Sequence, residues 1–397
     1  MLKLNLEPIL FSEDESEDDE EHISPFAGSF GSRTSWNELG QSMSRSSSMQ
    51  HWDDEEEESK QGLCLSKSYA GLPGGYTIRV SKKGITLGGD GGREVAVEGQ
   101  LEPSRLQLEQ KVIGRGACSV VHLARDRVTG ERYAIKSFST LDKTKRRQLH
   151  QEIMTLLRGG CVANECPALV EFYGAYKVSD AKISVVLRYM DRGCLEDFLL
   201  QRRERWQGGD GRLHEQIVAA ISYQIFCGLS FLHRRQHLHR DVKPSNVLLD
   251  SSGEAKLSDF GISRKLGHEQ EEVDAVVGSV RYMSPERLRG EAYGWQADVW
   301  GLGLILIDCI SAQGPWAGCS QVEILQMLKE KGNQGLLAGQ HFSEALGDLL
   351  GSCLHLDSRA RVSVEVLLQH KWFASHGVSS RVDAVRILGE YFGAHVR

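Results

Sequence analysis

The residues best suited to chemistry lie in two short stretches of the second half of the chain. The stretch HLHRDVKPSNVLL (237–249) contains Asp241, Lys243 and Asn246, and KLSDFG places Asp259 directly after a predicted strand. A carboxylate can accept a proton from a hydroxyl group, an ammonium group can neutralise phosphate, and carboxylate and amide oxygens bind Mg²⁺. These side chains together therefore predict phosphoryl transfer from a nucleotide to a hydroxyl group.

Residue types that meet phosphate also occur in the first half of the chain. GRGACSVV (114–121) is a glycine-rich turn between two predicted strands, in which Gly114 and Gly116 let backbone amides approach a phosphate closely. Lys136 lies in the predicted strand ERYAIKSF, and Glu152 lies on an amphipathic predicted helix. Each feature alone has an ordinary structural explanation, such as a hairpin or a surface charge. Their order and spacing as a set indicate a functional site.

The elements that must position these residues change in type along the chain. Up to Gly193 the sequence predicts mainly strands, with helical spacing in KTKRRQLHQEIMTLL. Beyond Gly193 it predicts mainly helices, at 214–233, 297–311, 321–331 and 343–353. A strand-rich part followed by a helix-rich part predicts an α+β fold of two lobes with a cleft between them.

The charge of the chain is concentrated near its N-terminus. Residues 1–75 contain 16 acidic and 5 basic residues, a net of −11, whereas the remaining residues contain 38 acidic and 42 basic ones, a net of +4. This Ser-rich and acidic composition predicts a disordered extension over 1–75, followed by a linker over 76–105. The extension is interpreted as a solubilising tail, with phosphorylation of its serines as the alternative. Nothing in the remaining charge predicts nucleic-acid binding.

Cysteine usage and hydropathy bear on the compartment. The nine cysteines are scattered, odd in number and form no CxxC pair, which is typical of reduced thiols in a cytoplasmic or nuclear protein. The acidic start of the sequence is not typical of a signal peptide. The longest apolar run, VWGLGLILI (299–307), is too short for a bilayer span and predicts a buried helix, so no membrane association is expected.

The motifs HRDVKPSN, DFG and SPE, in this order, resemble those of eukaryotic protein kinases over about residues 106–373. The resemblance implies the bilobal protein kinase fold. Its β-rich N-lobe with one long helix would cover 106–190, and its mainly helical C-lobe would cover 191–373. A C-terminal tail of 374–397 would follow.

The resemblance implies roles for the catalytic residues. Lys136 would hold the α- and β-phosphates of ATP and pair with Glu152. Asp241 would accept the proton of the substrate hydroxyl group, and Lys243 would steady the γ-phosphate. The form RDVKPSN resembles serine/threonine-type kinases rather than tyrosine-specific ones.

The resemblance also implies the cofactors, ATP and Mg²⁺, and the residues that bind them. Asn246 and Asp259 would hold Mg²⁺, and Glu286 with Arg361 would form a structural ion pair of the C-lobe. The hinge between the lobes would cover 188–190 and bind adenine through its backbone. The expected ATP-binding residues are Ile113, Gly114, Arg115, Gly116, Ala117, Cys118, Ser119, Val120, Val121, Ala134, Lys136, Leu187, Met190 and Leu248.

A finer resemblance is to the MAP kinase kinases, the dual-specificity, STE-type branch. It rests on FYGAY, ISVVLRYMDRGCLEDFL, YMSPERLRG and ADVWGLGLIL. The branch implies a MAP kinase as substrate, phosphorylated on Thr and Tyr, and an upstream MAP kinase kinase kinase. The alternatives are another serine/threonine kinase and a catalytically silent scaffold. The presence of Lys136, Asp241 and Asp259 together disfavours the scaffold.

The segment between DFG and SPE departs from this branch. Between Arg264 and Gly278 it contains no Ser, Thr or Tyr, but it contains four acids, Glu269, Glu271, Glu272 and Asp274. Four carboxylates can supply a charge similar to that of loop phosphates, with Arg240 as one candidate partner. We hypothesise that activity does not need loop phosphorylation. The alternative is a solvated acidic loop, with Ser263 and Ser279 left as phosphorylation sites.

Two smaller departures concern the nucleotide site. Ser119 stands where a third loop glycine is common, and Arg188 replaces the acidic residue common at the first hinge position. Small residues are tolerated at the Ser119 position of the loop. The hinge binds adenine through backbone groups, so the side chain at Arg188 is not needed for that contact. Neither change is therefore expected to affect ATP binding.

Two segments outside the catalytic motifs are candidates for docking. SKKGITL (81–87) has the pattern of a MAP kinase docking segment, with a basic pair before alternating apolar residues: Lys82, Lys83, Ile85 and Leu87. The competing interpretation is a hairpin that extends the N-lobe sheet.

In the tail, Ser380 is a candidate helix cap with Asp383 reciprocating, and Val382, Val385, Leu388 and Phe392 form a stripe. Packing of this helix on the C-lobe is preferred over docking of an upstream kinase.

Overall fold

The structure is a computed structural model, and all the residues it describes lie within one compact unit, Asp54–Arg397. The described ranges are 58–59, 62–66, 77–88, 94–96, 100–116, 119–140, 165–205, 212–259, 264–265, 280–311, 318–332, 334–337 and 341–394, with single residues 149, 153, 156 and 316.

The first sheet has five antiparallel strands that follow one another in chain order. They are β1 (Glu58–Ser59), β2 (Gly62–Ser66), β3 (Thr77–Ser81), β4 (Gly84–Gly88) and β5 (Glu94–Ala96). Both β1 and β2 lie in the range that composition predicts to be disordered. The register places Leu63 opposite Val80 and Leu65 opposite Ile78. Pairing with the hairpin that follows supplies the hydrogen bonds of β2, and composition does not reveal such a partner.

The second sheet, which the sequence predicts for the N-lobe, is also antiparallel, with strand order β6-β7-β8-β10-β9. Its strands are β6 (Leu106–Arg115), β7 (Ser119–Asp126), β8 (Arg132–Ser139), β9 (Phe172–Ser179) and β10 (Lys182–Arg188). The predicted helical spacing before β9 is confirmed at Leu149, Ile153 and Leu156, which are helical and at most 1% exposed.

Gln100 fastens the first sheet to the edge of the second. Its Oε1 accepts the Ile85 N–H at 2.7 Å, and its Nε2 donates to the Ile85 carbonyl at 2.8 Å. The next residue, Leu101, donates its N–H to the carbonyl of Tyr173 in β9 at 2.8 Å. Gly84 has φ = 133°, and a Cβ there would lie 2.7 Å from Gln100 Oε1, so this close approach requires glycine.

Two small sheets lie in the C-lobe. One has the order β11-β13-β14 and the other pairs β12 with β15. Their strands are β11 (Gly193–Cys194), β12 (His237–Leu238), β13 (Val247–Leu249), β14 (Ala255–Leu257) and β15 (Arg264–Lys265). The catalytic motifs lie in the loops that these strands begin or end.

Beyond the helical residues 149, 153 and 156, the described residues form ten α-helices in the C-lobe and the tail. They are α1 (Leu195–Arg205), α2 (Glu215–Arg234), α3 (Pro285–Leu288), α4 (Gln296–Ile310), α5 (Gln321–Lys331), α6 (Gln334–Leu337), α7 (Glu344–Cys353), α8 (Val364–Leu367), α9 (Lys371–Ser375) and α10 (Arg381–Ala394). Each of the four predicted helices begins and ends within one residue of α2, α4, α5 or α7. The bilobal architecture is confirmed.

The core of the C-lobe is built around α2 and α4. Every residue of α4 from Ala297 to Ile310 is buried, as predicted for VWGLGLILI. Among the described residues, α2 is the one helix long and apolar enough to cross a membrane, but 72% of its apolar window is buried in the protein. That burial identifies α2 as the core helix of a folded lobe.

The C-terminal helix α10 packs on the C-lobe, the interpretation that the sequence favours. Leu388 is fully buried, and Phe392 lies edge-on to Phe198 of α1 with the ring centroids 5.7 Å apart. The predicted stripe is wrong at Val382, which is 77% exposed, whereas Ile387 is buried in its place. The buried face of α10 consists of Ala384, Ile387, Leu388 and Phe392.

Candidate active site

A buried carboxylate on α4 anchors the predicted catalytic loop. Asp298 is 2% exposed, and its carboxylate accepts the N–H groups of His239 at 2.9 Å and Arg240 at 2.7 Å. His233 lies 2.8 Å from the same carboxylate. Burial alone raises the pKa of Asp298, but these hydrogen bonds and charges outweigh it and lower the pKa. The loop is thus bound to the C-lobe core just before Asp241.

The three predicted loop residues Asp241, Lys243 and Asn246 lie together in the structure. Asp241 Oδ2 is 2.6 Å from Lys243 Nζ and accepts a hydrogen bond from Asn246 Nδ2 at 2.9 Å. Asn246 Nδ2 also donates to the Asp241 carbonyl at 2.8 Å. These contacts orient Asp241 and leave its Oδ1 as the acceptor for an incoming hydroxyl group.

Asp259 follows β14 and lies next to the same loop. The preceding residue, Ser258, donates its N–H to the Asn246 carbonyl at 2.9 Å, while His239 Nε2 lies 3.1 Å from the Ser258 carbonyl. Asp259 itself has φ = 63°, a left-handed conformation that costs about 1–3 kcal/mol for a non-glycine residue. The surrounding hydrogen bonds hold this conformation, which aims the carboxylate into the cleft between the lobes.

Lys136 of β8 reaches across the cleft to Asp259. The two side chains form an ion pair with Lys136 Nζ 3.2 Å from Asp259 Oδ1, and the lysine side chain is 11% exposed. Its position in the sheet is set by pairing with Val121 on one side and Val185 on the other. The predicted pairing with Glu152 lies outside the described residues.

The residues expected to bind a divalent cation, Asn246 and Asp259, lie on neighbouring segments. Because Asn246 uses its Nδ2 to donate to Asp241, its side-chain oxygen is the atom available to a cation. Asp259 directly follows Ser258 in the chain, and the Ser258 N–H donates a hydrogen bond to the Asn246 carbonyl. A hard cation prefers carboxylate and amide oxygens, so these residues fit the group that the motifs imply.

The predicted adenine site is lined by apolar residues from both lobes. Ala134, Leu187 and Met190 are buried, at 8%, 8% and 5% exposure, and Ala134 pairs with Leu187 across β8 and β10. Three further predicted members, Ile113, Val121 and Leu248, are partly buried and pack against the core.

The glycine-rich turn joins β6 to β7 above this site. Gly114 pairs with Val121 and Arg115 with Val120, and the Gly116 N–H donates to the Ser119 carbonyl at 2.9 Å. The tip of the turn, Ala117 and Cys118, lies outside the described residues.

The predicted structural ion pair of the C-lobe is confirmed. Arg361 binds Glu286 in a bidentate manner, with Nη1–Oε1 and Nη2–Oε2 distances of 2.7 and 2.8 Å. Its Nε also donates to the His355 carbonyl at 2.8 Å. Burial alone raises the pKa of Glu286, but Arg361 outweighs burial and lowers the pKa below its ordinary value. The pair fixes the SPE segment to the lobe.

Sequence reasoning missed two residues next to the site. Arg240 Nε donates to Tyr293 Oη at 2.5 Å, and Arg240 and Arg287 both lie over the Tyr293 ring. Arg188, which is not expected from the sequence to affect ATP binding, forms ion pairs with three carboxylates behind the hinge. In the sequence, the basic residue at a position where an acidic one is common pointed to Arg188. Nothing in the sequence pointed to Tyr293.

The acids of the DFG–SPE segment, at 269–274, lie outside the described residues. Of the docking candidates, Lys82 and Lys83 form the exposed turn between β3 and β4, whereas Ile85 is 1% exposed and belongs to the core. The segment therefore forms a hairpin, as the competing interpretation predicts, but this hairpin belongs to a separate sheet and does not extend the N-lobe sheet. A docking role rests on the two lysines.

Comparisons with known proteins agree with this geometry. The protein kinase domain family matches residues 108–373. Mitogen-activated protein kinase kinase 2 of Arabidopsis thaliana is 32% identical over 316 residues, which cover 76% of this chain and 83% of that protein. Mitogen-activated protein kinase kinase 1c of Physcomitrium patens is 33% identical over 287 residues, covering 70% and 79%. Serine/threonine-protein kinase PAK 1 of Mus musculus is 30% identical over 271 residues, covering 68% and 47%.

The fold, the site and the family match define an enzyme of the protein kinase class that uses ATP and a divalent cation. Within that class, the chain belongs to the MAP kinase kinase family.

Proposed function

We propose that this kinase transfers the γ-phosphoryl group of Mg-ATP to Thr and Tyr in the activation loop of a MAP kinase. The observation that carries the proposal is the joint position of Asp241, Lys243 and Asn246 next to the Lys136–Asp259 pair. The names of the plant relatives support the branch.

Asp241 acts as the proton acceptor in this mechanism. Lys243 and Asn246 both bind its Oδ2, so the carboxylate is fixed in rotation and Oδ1 meets the substrate hydroxyl group. The proton passes from the hydroxyl oxygen to Asp241 as that oxygen attacks the γ-phosphorus, and the bond from the γ-phosphorus to the β–γ bridging oxygen breaks to release ADP. Lys243 stabilises the negative charge on the γ-phosphoryl oxygens because its ammonium group lies 2.6 Å from Asp241 Oδ2, next to the place where the hydroxyl group attacks.

The nucleotide is positioned by residues of both lobes. Lys136 places an ammonium group on the α- and β-phosphates, and the apolar wall around Leu187 receives adenine. Asn246 and Asp259 would hold Mg²⁺, which supplies charge neutralisation of the phosphates when bound. The backbone amides of the glycine-rich turn cover the phosphates and exclude water.

Control of the enzyme is proposed to be independent of loop phosphorylation. The support from sequence is the four acids at 269–274, which replace hydroxyl residues. The support from structure is that the Arg240 guanidinium is already oriented by Tyr293. An arginine oriented by the protein needs no phosphate to order it. The alternative remains an acidic loop without an activating role.

Transfer to a kinase-dead MAP kinase tests the proposal. The purified enzyme is incubated with Mg-ATP, and phosphorylated sites are mapped by mass spectrometry. We expect phosphate on both Thr and Tyr, with Asp241→Asn and Asp259→Asn lowering the rate by at least about a hundredfold. The matched control is Asp180→Asn, because the Asp180 side chain is 99% exposed in the β9–β10 turn.

The outcomes separate the alternatives. Phosphorylation of Ser or Thr without Tyr would favour another type of serine/threonine kinase. The similarity to PAK 1 supports this alternative. ATP binding without transfer to any protein would favour the scaffold. Equal rates for Asp241→Asn and the unaltered enzyme would contradict the mechanism.

The loop acids are tested by neutralising them. Replacing all four with Gln or Asn is expected to lower the kcat of the phosphatase-treated enzyme at least tenfold, because the loop would lose the negative charge that is proposed to replace loop phosphates. A matched variant neutralises four acids of the extension, Asp53, Asp54, Glu55 and Glu56, and is expected to retain kcat. Unchanged kcat in the loop variant would identify a solvated loop.

A further inference from the structure

A cluster of six charged side chains lies behind the hinge, at the last residue of β10. The Arg188 guanidinium binds Glu171 Oε1 through Nη1 at 3.0 Å. Its Nη2 lies 3.2 Å from Asp250 Oδ2 and 2.7 Å from Glu254 Oε2. One guanidinium therefore bridges three carboxylates through two of its nitrogen atoms, which the planar fork of arginine holds at fixed positions.

Two further cations complete the cluster. Lys256 Nζ lies 2.9 Å from the same Glu171 oxygen, and its side chain is 1% exposed. Arg381, the first residue of α10, donates to Glu254 Oε1 at 2.6 Å. Both cations also donate to the Pro167 carbonyl, at 2.6 and 2.9 Å. We call these six residues the hinge cluster: Glu171, Arg188, Asp250, Glu254, Lys256 and Arg381.

The hinge cluster is electrically balanced and largely buried. It contains three acids and three bases, and the Glu171 and Asp250 side chains are 6% and 10% exposed. Burial alone raises the pKa of Glu254, but hydrogen bonding to Arg381 and the charges of Lys256 and Arg188 lower it. Removing one member of such a cluster leaves an uncompensated charge, which the neighbouring side chains must move to neutralise.

The backbone around the cluster couples the C-terminal helix to the hinge. Asp250 and Glu254 flank the tight turn between β13 and β14. In that turn, Gly253 lies so near α10 that a Cβ would fall 2.1 Å from the Val385 carbonyl oxygen. On the other side, the Arg188 N–H donates to the Glu171 carbonyl at 3.0 Å. A contiguous set of contacts thus runs from α10 through the turn to the hinge.

We propose that Arg188 is a positioning residue that holds the hinge in its ATP-binding conformation, and that Arg381 of α10 acts on ATP affinity through it. Leu187, directly before the hinge, and Met190, within it, line the adenine site, so a shift of Arg188 changes the backbone that meets the nucleotide. Loss of Arg381 draws Arg188 toward Glu254 and has the same consequence. This inference rests on ATP use by the kinase family and not on a MAP kinase substrate.

A double-mutant cycle on ATP affinity tests the proposal. The Kd for Mg-ATP is measured by titration calorimetry on the full chain for Arg188→Met, Arg381→Met and the double variant. We expect about a tenfold weaker Kd for Arg188→Met and about a threefold weaker Kd for Arg381→Met. The double variant is expected to match Arg188→Met alone, since Arg381 acts through that residue.

The matched control is Arg386→Met. Arg386 lies on the same helix and forms an ion pair with Glu390 at 3.0 Å, but both side chains are more than half exposed and the pair lies outside the hinge cluster. It is expected to leave the Kd unchanged. The conservative variant Arg188→Lys keeps the charge without the fork, and its Kd is expected to lie between those of Arg188→Met and the unaltered chain.

A purely structural role would give a different result. It would lower the unfolding temperature of Arg188→Met while leaving the Kd of the folded protein unchanged, and this outcome overturns the proposal. So do independent effects of the two arginines that multiply in the double variant. If Arg188→Met does not fold, Arg188→Lys and Arg381→Met decide: an unchanged Kd in both overturns the proposal. Because the readout is ATP affinity, failure of the proposed MAP kinase substrate would leave the result intact.

Discussion

Replacement of Asp298 by Asn should separate catalytic-loop positioning from simple stability. The Asp298 carboxylate accepts two backbone N–H groups, those of His239 and Arg240, and contacts His233. An asparagine keeps one acceptor oxygen, but its NH₂ group takes the place of the other oxygen. That NH₂ group would face a backbone N–H, which is also a donor. The substitution therefore removes charge-assisted bonds and leaves a buried donor unsatisfied.

The expected magnitude follows from these contacts. A hydrogen bond to a charged group contributes about 1.5–3 kcal/mol, and an unsatisfied buried donor costs about 1–3 kcal/mol. We expect a loss of about 3–5 kcal/mol in the free energy of unfolding, which lowers Tm by about 10 °C. Because Asp241 directly follows the anchored amides, its displacement by about 1 Å would lower kcat about a hundredfold.

The assay is kcat at saturating Mg-ATP and protein substrate, measured well below the Tm of the variant. The matched control is Asp126→Asn in β7, since Asp126 is 1% exposed and accepts the Val128 N–H at 2.8 Å. It should lose stability and retain kcat. If Asp298→Asn keeps kcat within twofold while its Tm falls, the anchor does not position the catalytic loop and the reasoning is refuted.

Three further predictions concern the scaffold and docking. Arg361→Met should lower the free energy of unfolding by about 3–5 kcal/mol in urea titrations. Because the folded-state pKa of Glu286 is lowered, that loss should be complete above its ordinary value of 4.5 and shrink as the pH falls through the folded-state pKa. A loss that does not vary with pH would contradict the ion-pair explanation. Gly253→Ala should lower Tm, since a Cβ would meet a main-chain oxygen of α10 and φ is 92°; an unchanged Tm would show that α10 is not held there. Lys82→Glu/Lys83→Glu should raise the KM for a MAP kinase but not for a short peptide, and equal KM values for the MAP kinase would exclude docking.

The sequence could place the catalytic residues because they are close along the chain or follow recognisable strands. Asp241 and Asn246 share one loop, and the geometry of that loop brings their side chains into contact. The contact between Lys136 and Asp259 spans the two lobes, and only the order of the motifs indicated it.

The sequence could not reveal contacts that depend on tertiary structure. Arg188 meets Glu171, Asp250 and Glu254, which lie 17, 62 and 66 positions away, and no local pattern predicts such a cluster. The strands β1 and β2 were missed for a similar reason, because strands of two and five residues gain their stability from a hairpin further along the chain.

The burial of Ile85 shows a further limit of pattern reading. The alternating residues of SKKGITL fit both a docking segment and a strand, since both use extended backbone. The structure places Ile85 in the core, where Gln100 binds its N–H and carbonyl groups. Sequence alone does not distinguish an exposed apolar residue that binds another protein from an apolar residue that is buried in the core of its own fold.

The most direct test of the central claim is an initial rate. The enzyme is expressed in bacteria, stripped with a phosphatase and assayed with Mg-ATP on a kinase-dead MAP kinase, with Lys136→Met as the blank. The account predicts rapid phosphorylation of both Thr and Tyr by the stripped enzyme. A rate of the stripped enzyme equal to the Lys136→Met blank would contradict it, including the case in which the rate rises after treatment with an upstream kinase.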